Sequence, residues 1–213
     1  MCPNISDAFL VHYIDMRTTL DQIAVSTMDN NCYLLVRGER ALLIDAADAA
    51  EDLLALAQRN NATITTVVTT HQHWDHVRAL EEVLETTGAT HVAPAPDAAA
   101  LPCPADRELE EGDVLHFEGL ELHAHILRGH TIGGLALACQ IDGTWHIFVG
   151  DSLFPGGVGK TESSDDFEQL MDDVTSRIFE RYPDDAIVHP GHGKPTTLGK
   201  ERPHLDEWRT RGW

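Results

Sequence analysis

The chain has 213 residues, 42% of them apolar and 23% charged, which is enough to bury a sizeable core without disulfides. Its 15 lysines and arginines face 35 aspartates and glutamates, and the net charge of −20 repels nucleic-acid phosphates and anionic lipid, setting nucleases and membrane-surface proteins aside. No stretch reaches transmembrane length and no basic leader precedes an apolar run, so a single domain over 1–213 in the cytoplasm is expected. Cys2, Cys32, Cys103 and Cys139 lie far apart with no C-x-x-C pair, the pattern of reduced thiols rather than of a cysteine-rich zinc site.

In chain order, strands are predicted over 22–27, 31–37 and 40–46, with "MDNN" and "GE" as turns between them. A helix over 49–60 carries Leu53, Leu56 and Ala57 on one stripe, and "TITTVVTT" (63–70) forms the next strand. The spacing predicts a helix over 77–88 that stops at Gly88, then strand and loop over 89–96. Two strands follow over 112–130, with His123 and His125 on the solvated face, and a hairpin over 134–151 turns at "DG". A helix over 165–182 places Phe167, Leu170, Met171, Val174 and Ile178 on one apolar face. A short strand over 185–193 precedes a Pro/Gly-rich stretch and a helix ending at Trp213.

One strand end carries an unusual load. "VVTTHQHWDH" (67–76) crowds three histidines and an aspartate into six positions behind a β-branched run. Imidazoles so close repel one another when protonated, whereas a cation between them would hold them together. His71 and His73, two apart on an extended loop, can grip one ion, while Asp75 and His76 diverge and can serve a second. Imidazole nitrogen with carboxylate oxygen suits zinc first, and also iron or manganese. Further ligands are available in "GHT" (His130), "GD" (Asp151) and "GHG" (His192), each behind a glycine that lets the backbone turn sharply.

"THQHWDH", "GHT", "GDSLF" and "HPGHG", in this order and with Asp45 closing "ALLID" before them, resemble the metallo-β-lactamase superfamily, and within it the glyoxalase II-like hydrolases. The resemblance implies an α/β fold, a four-layered αβ/βα sandwich with two sheets face to face. It implies two divalent metal ions, one held by His71, His73 and His130, the other by Asp75, His76 and His192, with Asp151 between them. Asp45 then corresponds to a supporting carboxylate rather than a ligand. Two cations about 3.5–4 Å apart bring the pKa of a shared water from near 15.7 to roughly 7, and Asp75 would orient the resulting hydroxide.

The reaction implied is hydrolysis of a small acyl substrate, a thioester first and a lactone next. Asp151 stands where many β-lactamases of this fold use cysteine, which argues against a β-lactam. "WDH" and "GGVGK" resemble glyoxalase II proper, where the lysine matching Lys160 helps hold the thiol's carboxylate. The chain ends soon after His192, without the helical domain that carries glutathione contacts in longer relatives, so the thiol carrier stays open. The alternatives are a mononuclear-iron persulfide dioxygenase of the same superfamily, using His71, His130 and Asp151, and a metal-binding protein without activity. The remaining histidines, His12, His91, His116, His123, His125, His146, His189 and His204, are read as bystanders.

Overall fold

The computed structural model describes residues 17–212; Cys2, His12 and Trp213 lie outside them. Strands β1 (Thr18–Val25), β2 (Asn30–Arg37) and β3 (Arg40–Ile44) form an antiparallel meander. Helix α1 (Ala50–Arg59) then crosses to β4 (Thr63–Val68), and α2 (Leu80–Thr87) to β5 (Thr90–Pro94). These strands and β6 (Arg107–Leu109) add in parallel, completing a six-stranded sheet in the order β1-β2-β3-β4-β5-β6.

The second half repeats the plan. Strands β7 (Val114–Phe117), β8 (Leu120–Leu127), β9 (Gly134–Ile141) and β10 (Thr144–Gly150) form the meander. A small hairpin, β11 (Leu153–Phe154) with β12 (Gly157–Val158), leads into α3 (Ser164–Val174). The crossover ends in β13 (Ile187–Pro190), parallel to β10, and β14 (Thr196–Thr197) closes the edge, followed by α4 (Leu198–Glu201) and α5 (Leu205–Arg211).

The layers follow from which faces are apolar. Tyr33, Leu35, Leu42, Ile44 and Val68 meet Leu115, Leu122, Leu137 and Phe148 between the two sheets. The outer face of the first sheet, with Leu34, Leu43 and Val67, is covered by Leu53 and Leu56 of α1 and by Leu80 and Val83 of α2. Ala136, Ala138, Ile147 and Val149 on the outer face of the second are covered by Phe167, Leu170, Met171 and Val174 of α3 and by Trp208 of α5. The result is the αβ/βα sandwich. Strands buried on both faces explain why "NCYLLV" and "ALLI" read as continuous apolar runs rather than alternating ones. Cys32 and Cys139 are part of this core, and burial pushes both thiols up to about 12.

Several boundaries differ from the sequence expectation, each for a local reason. Helix α2 starts at Leu80 rather than at residue 77, because Trp74–His76 winds as a separate 3-10 turn that aims its side chains elsewhere. Helix α3 begins after Ser163, whose hydroxyl accepts from the Asp166 amide at 3.1 Å, and from Thr175 to Phe179 it continues as a wider π-turn. Strands β6, β11, β12 and β14 are two or three residues long, too short to show a period. His125 does not face solvent. It is buried beneath the α3 layer, within 2.6 Å of the Tyr182 hydroxyl and 3.2 Å of Glu111 Oε1. No helix among the described residues is long and apolar enough to cross a membrane.

Candidate metal centre

The site is assembled where strands of both sheets end. Asp45 follows β3 and is almost fully buried, yet its carboxylate is well supplied with donors. Oδ1 accepts from the Thr70 amide (2.7 Å), and Oδ2 accepts from the Thr70 hydroxyl (2.8 Å) and from His76 Nδ1 (2.8 Å). The hydroxyl has a single hydrogen, and Asp45 takes it. Thr70 Oγ1 therefore accepts from His71 Nδ1 at 3.0 Å, which leaves His71 Nε2 as a free lone pair.

The same arrangement recurs at the other imidazoles. His130 Nδ1 donates to the Lys160 carbonyl at 2.7 Å, and His192 Nδ1 to the Met28 carbonyl at 2.8 Å. Each ring is tied behind by one nitrogen and offers Nε2 inward, which sets its tautomer and its direction.

The inward atoms share one focus. His76 Nε2 lies 3.3 Å from His192 Nε2, 3.5 Å from Asp151 Oδ1 and 3.6 Å from Asp75 Oδ2. Asp151 Oδ2 is 3.3 Å from His192 Nε2 and 3.8 Å from His130 Nε2, so this carboxylate stands between the two groups. The rings of His73 and His130 are 4.6 Å apart, and those of His71 and His130 5.1 Å apart. His71, His73 and His130 form one set able to hold a cation, His71, His76 and Asp151 a second, and Asp75, His76 and His192 a third.

The residues present fit divalent metal. His71 Nε2, His130 Nε2 and Asp151 Oδ1 are buried with no hydrogen-bond partner, a costly arrangement unless a cation receives their lone pairs. The electrostatics agree. Burial, then the neighbouring histidines, hold His71 and His73 toward the neutral form that coordinates. Burial disfavours the charge on His76, but the carboxylates of Asp151, 3.5 Å away, and Asp45 outweigh it and push its pKa up to about 10. The Asp151 carboxylate, 3.3 Å from Nε2, likewise raises His192. Burial would raise Asp151, yet His192 and His76 hold it well below the ordinary carboxylate range. Positive charge is thus drawn to the point where the two carboxylates converge.

A profile of the metallo-beta-lactamase superfamily matches residues 26–192, a span containing all of these side chains. The chain belongs to that superfamily. The hydroxyacylglutathione hydrolase of Pseudomonas syringae pv. syringae is 32% identical over 169 residues, which make up 77% of this chain and 62% of that protein. The hydroxyacylglutathione hydrolase GloC of Haemophilus influenzae is 28% identical, with 86% and 94% covered. The chain thus spans less than two thirds of the first relative and nearly all of the second. The solved structure of TTHA1623 in a di-iron-bound form is 30% identical, with a TM-score of 0.71 over 85% of this chain and 96% of that one.

In this metallo-β-lactamase superfamily member, the loop carrying His192 comes from the second sheet but is docked on the first. Asn31 Nδ2 donates to the carbonyls of Pro190 (3.0 Å) and Gly193 (2.9 Å), and the Tyr33 hydroxyl donates to the Pro190 carbonyl (2.7 Å). Gly191 is required there by space: a Cβ would run into Asp151 Oδ1 and lie 2.7 Å from His76 Cε1. Lys160 reaches the site through its carbonyl, while its side chain is largely exposed with Nζ 4.0 Å from Glu162.

Asn30, Asn31, Thr70 and Tyr33 escape the sequence reading: "MDNN" looks like turn material, and Tyr33 and Thr70 read as ordinary strand residues. The one available signal was two adjacent asparagines opening a buried strand. His91 and His189 lie outside the cluster: His91 meets Thr69 Oγ1 and the Pro104 carbonyl at 3.0 Å each, and His189 pairs with His146 at 2.9 Å.

Proposed function

We propose that this chain is a dinuclear metal-dependent hydrolase that cleaves a thioester or a related acyl compound. The observation that carries this reading is the convergence of five imidazoles and two carboxylates from both sheets, with Nε2 of His71 and His130 and Oδ1 of Asp151 buried and unpartnered. His71, His73 and His130 would hold one ion and Asp75, His76 and His192 the other, with Asp151 serving both. When bound, two such cations, zinc first with iron or manganese also suited, supply hydroxide at neutral pH and polarise a carbonyl.

The chain's own groups do the rest. Asp45 and the carbonyls of Lys160 and Met28 hold the imidazoles in their coordinating tautomers. Asp75 would orient the nucleophile and accept its proton, held in place by Asn30. The Lys160 ammonium would receive a carboxylate on the substrate's thiol. The names of the hydroxyacylglutathione hydrolases and the di-iron form of TTHA1623 support this reading. On it, the chain acts as one domain on a small molecule in the cytoplasm, with no nucleic acid or membrane partner.

One observation favours a second reading. The three unpartnered atoms belong to His71, His130 and Asp151, the set expected for a mononuclear iron persulfide dioxygenase. Metal analysis paired with two assays separates them. About two equivalents of metal with hydrolysis of an S-lactoyl thioester supports the hydrolase. One iron with oxygen uptake on a persulfide overturns it.

A further inference from the structure

The carbonyl that turns His130 belongs to Lys160, which follows the β11–β12 hairpin, while Asp151 precedes the same hairpin. That hairpin has few resources of its own. Each strand is two residues long, the pairs are Leu153↔Val158 and Phe154↔Gly157, and Gly156, Gly157 and Gly159 crowd its second half. Two strands this short are marginal in water, and glycine adds backbone freedom that has to be frozen. Leu153 is anchored in the core, but Pro155 and Gly156 at the tip are exposed, and Gly157 and Val158 are half-buried.

The missing support comes from the C-terminal helices. Glu201 of α4 is only 6% exposed. Its Oε2 accepts from the Gly156 amide at 2.9 Å, and its Oε1 accepts from the Thr196 hydroxyl at 2.6 Å. Arg211 of α5 donates to the Gly156 carbonyl at 3.1 Å, so both polar backbone groups of the turn are taken. Helix α4 is itself firmly seated. The Leu198 amide donates to the Ala186 carbonyl (3.1 Å) and the Gly199 amide to the Asp184 carbonyl (2.8 Å). At its other end the hairpin closes on the cluster. The Gly159 amide donates to the Ser152 carbonyl at 3.1 Å, and a Cβ on Gly159 would collide with the Asp151 carbonyl oxygen and lie 3.5 Å from His130 Nδ1. The tip is thus tied to α4 while the base touches two of the converging side chains' own segments.

We propose that Glu201 is a positioning residue for the metal centre: by holding Gly156 it fixes the Lys160 carbonyl, and through it the His130 ring. This rests on the metal-dependent hydrolase reading and names a residue outside the ligand set on which the ion assigned to His71, His73 and His130 depends. Outer partners that orient a ligating histidine change metal affinity about 10- to 100-fold.

Three variants test it. Glu201→Ala leaves the Gly156 amide without its acceptor. Glu201→Asp, one methylene shorter, does the same by withdrawal and carries the test should the first fail to fold. Glu201→Gln can still accept from Gly156 while donating to Thr196 Oγ1. In metal-free protein at alkaline pH, nitrogen NMR shifts report the tautomer of the His130 ring, assigned by its loss in His130→Ala, with the His192 ring as internal reference. The wild type and Glu201→Gln should hold the Nδ1–H form, whereas the Ala and Asp variants should shift toward Nε2–H with His192 unmoved. In a His192→Ala background, where the second ligand set is broken, zinc affinity should fall about 10- to 100-fold with Ala or Asp at 201 and stay at the background value with Gln. A Glu201→Ala protein that loses stability while tautomer and zinc affinity are unchanged overturns the proposal, and so does a Glu201→Gln protein that behaves like Glu201→Ala. If no thioester is turned over while both readouts move as expected, the hydrolase reading falls and the positioning role stands.

Discussion

Asn30 Nδ2 donates to Asp75 Oδ2 at 2.9 Å, joining the first residue of β2 to the histidine-rich loop across 45 positions of chain. The amide is oriented by the Ser26 hydroxyl, which donates to Asn30 Oδ1 at 2.7 Å, and Nδ2 also lies 3.4 Å from His192 Nε2. Burial raises Asp75 toward the neutral acid, but the Asn30 hydrogen bond and His76 outweigh it and keep the carboxylate ionised. Replacing Asn30 by Ala should lower affinity for the second metal equivalent about 10- to 100-fold and leave the first nearly unchanged. Stepwise titration with a metal indicator reads both constants, and equal weakening of both ions would refute the pairing.

Asp151 faces His130 on one side and His76 and His192 on the other. Its replacement by Ala should loosen both ions and abolish turnover. Elemental analysis after dialysis, alongside the thioester assay, checks this. An Asp151→Ala protein with undiminished rate would defeat the dinuclear scheme.

Asp45 is a stability prediction first. Its buried carboxylate accepts from the Thr70 amide, the Thr70 hydroxyl and His76 Nδ1. Removing one partner of a buried charged network costs roughly 3–5 kcal/mol. Asp45→Ala should therefore lower the denaturant midpoint steeply in the metal-free protein. It should also weaken metal binding through the freed His76 ring. A midpoint within experimental error of wild type would show that Thr70 and His76 find other partners.

His189 predicts a pH dependence of stability. Its ring stacks on Phe148 at 4.8 Å between the sheets, and burial, with His146 second, pushes its pKa down to about 3. Unfolded, the same imidazole titrates near 6.5. The unfolded chain thus binds the extra proton between those values. The contribution is complete above about pH 6.5 and is lost as pH falls toward about 3, a drop on the order of a few kcal/mol. His189→Phe keeps the stacking and removes the proton, so its stability should fall less steeply over that window. Parallel pH curves for the two proteins would contradict the assignment.

Much of this protein was present in the amino-acid order itself. "VVTT" ahead of "HQHWDH" announces a buried strand delivering ligands, because strand ends and imidazole clusters are local and chemically conspicuous. The apolar stripe of Phe167, Leu170, Met171 and Val174 announces a helix for the same reason. The tertiary structure alone decided what stands behind each ligand. Asn30 reaches Asp75 across the sheet, the Lys160 and Met28 carbonyls turn His130 and His192, and Asn31 and Tyr33 pin the Gly191 loop. His125 was read as solvated because an alternating strand shows only that its two faces differ, and Tyr182 covers the second face from the bend that follows the Thr175–Phe179 turn, far along the chain. Backbone carbonyls carry no side-chain signature, and contacts between residues far apart in the chain leave no spacing to count. Such partners become visible only once packing has brought the two sheets together.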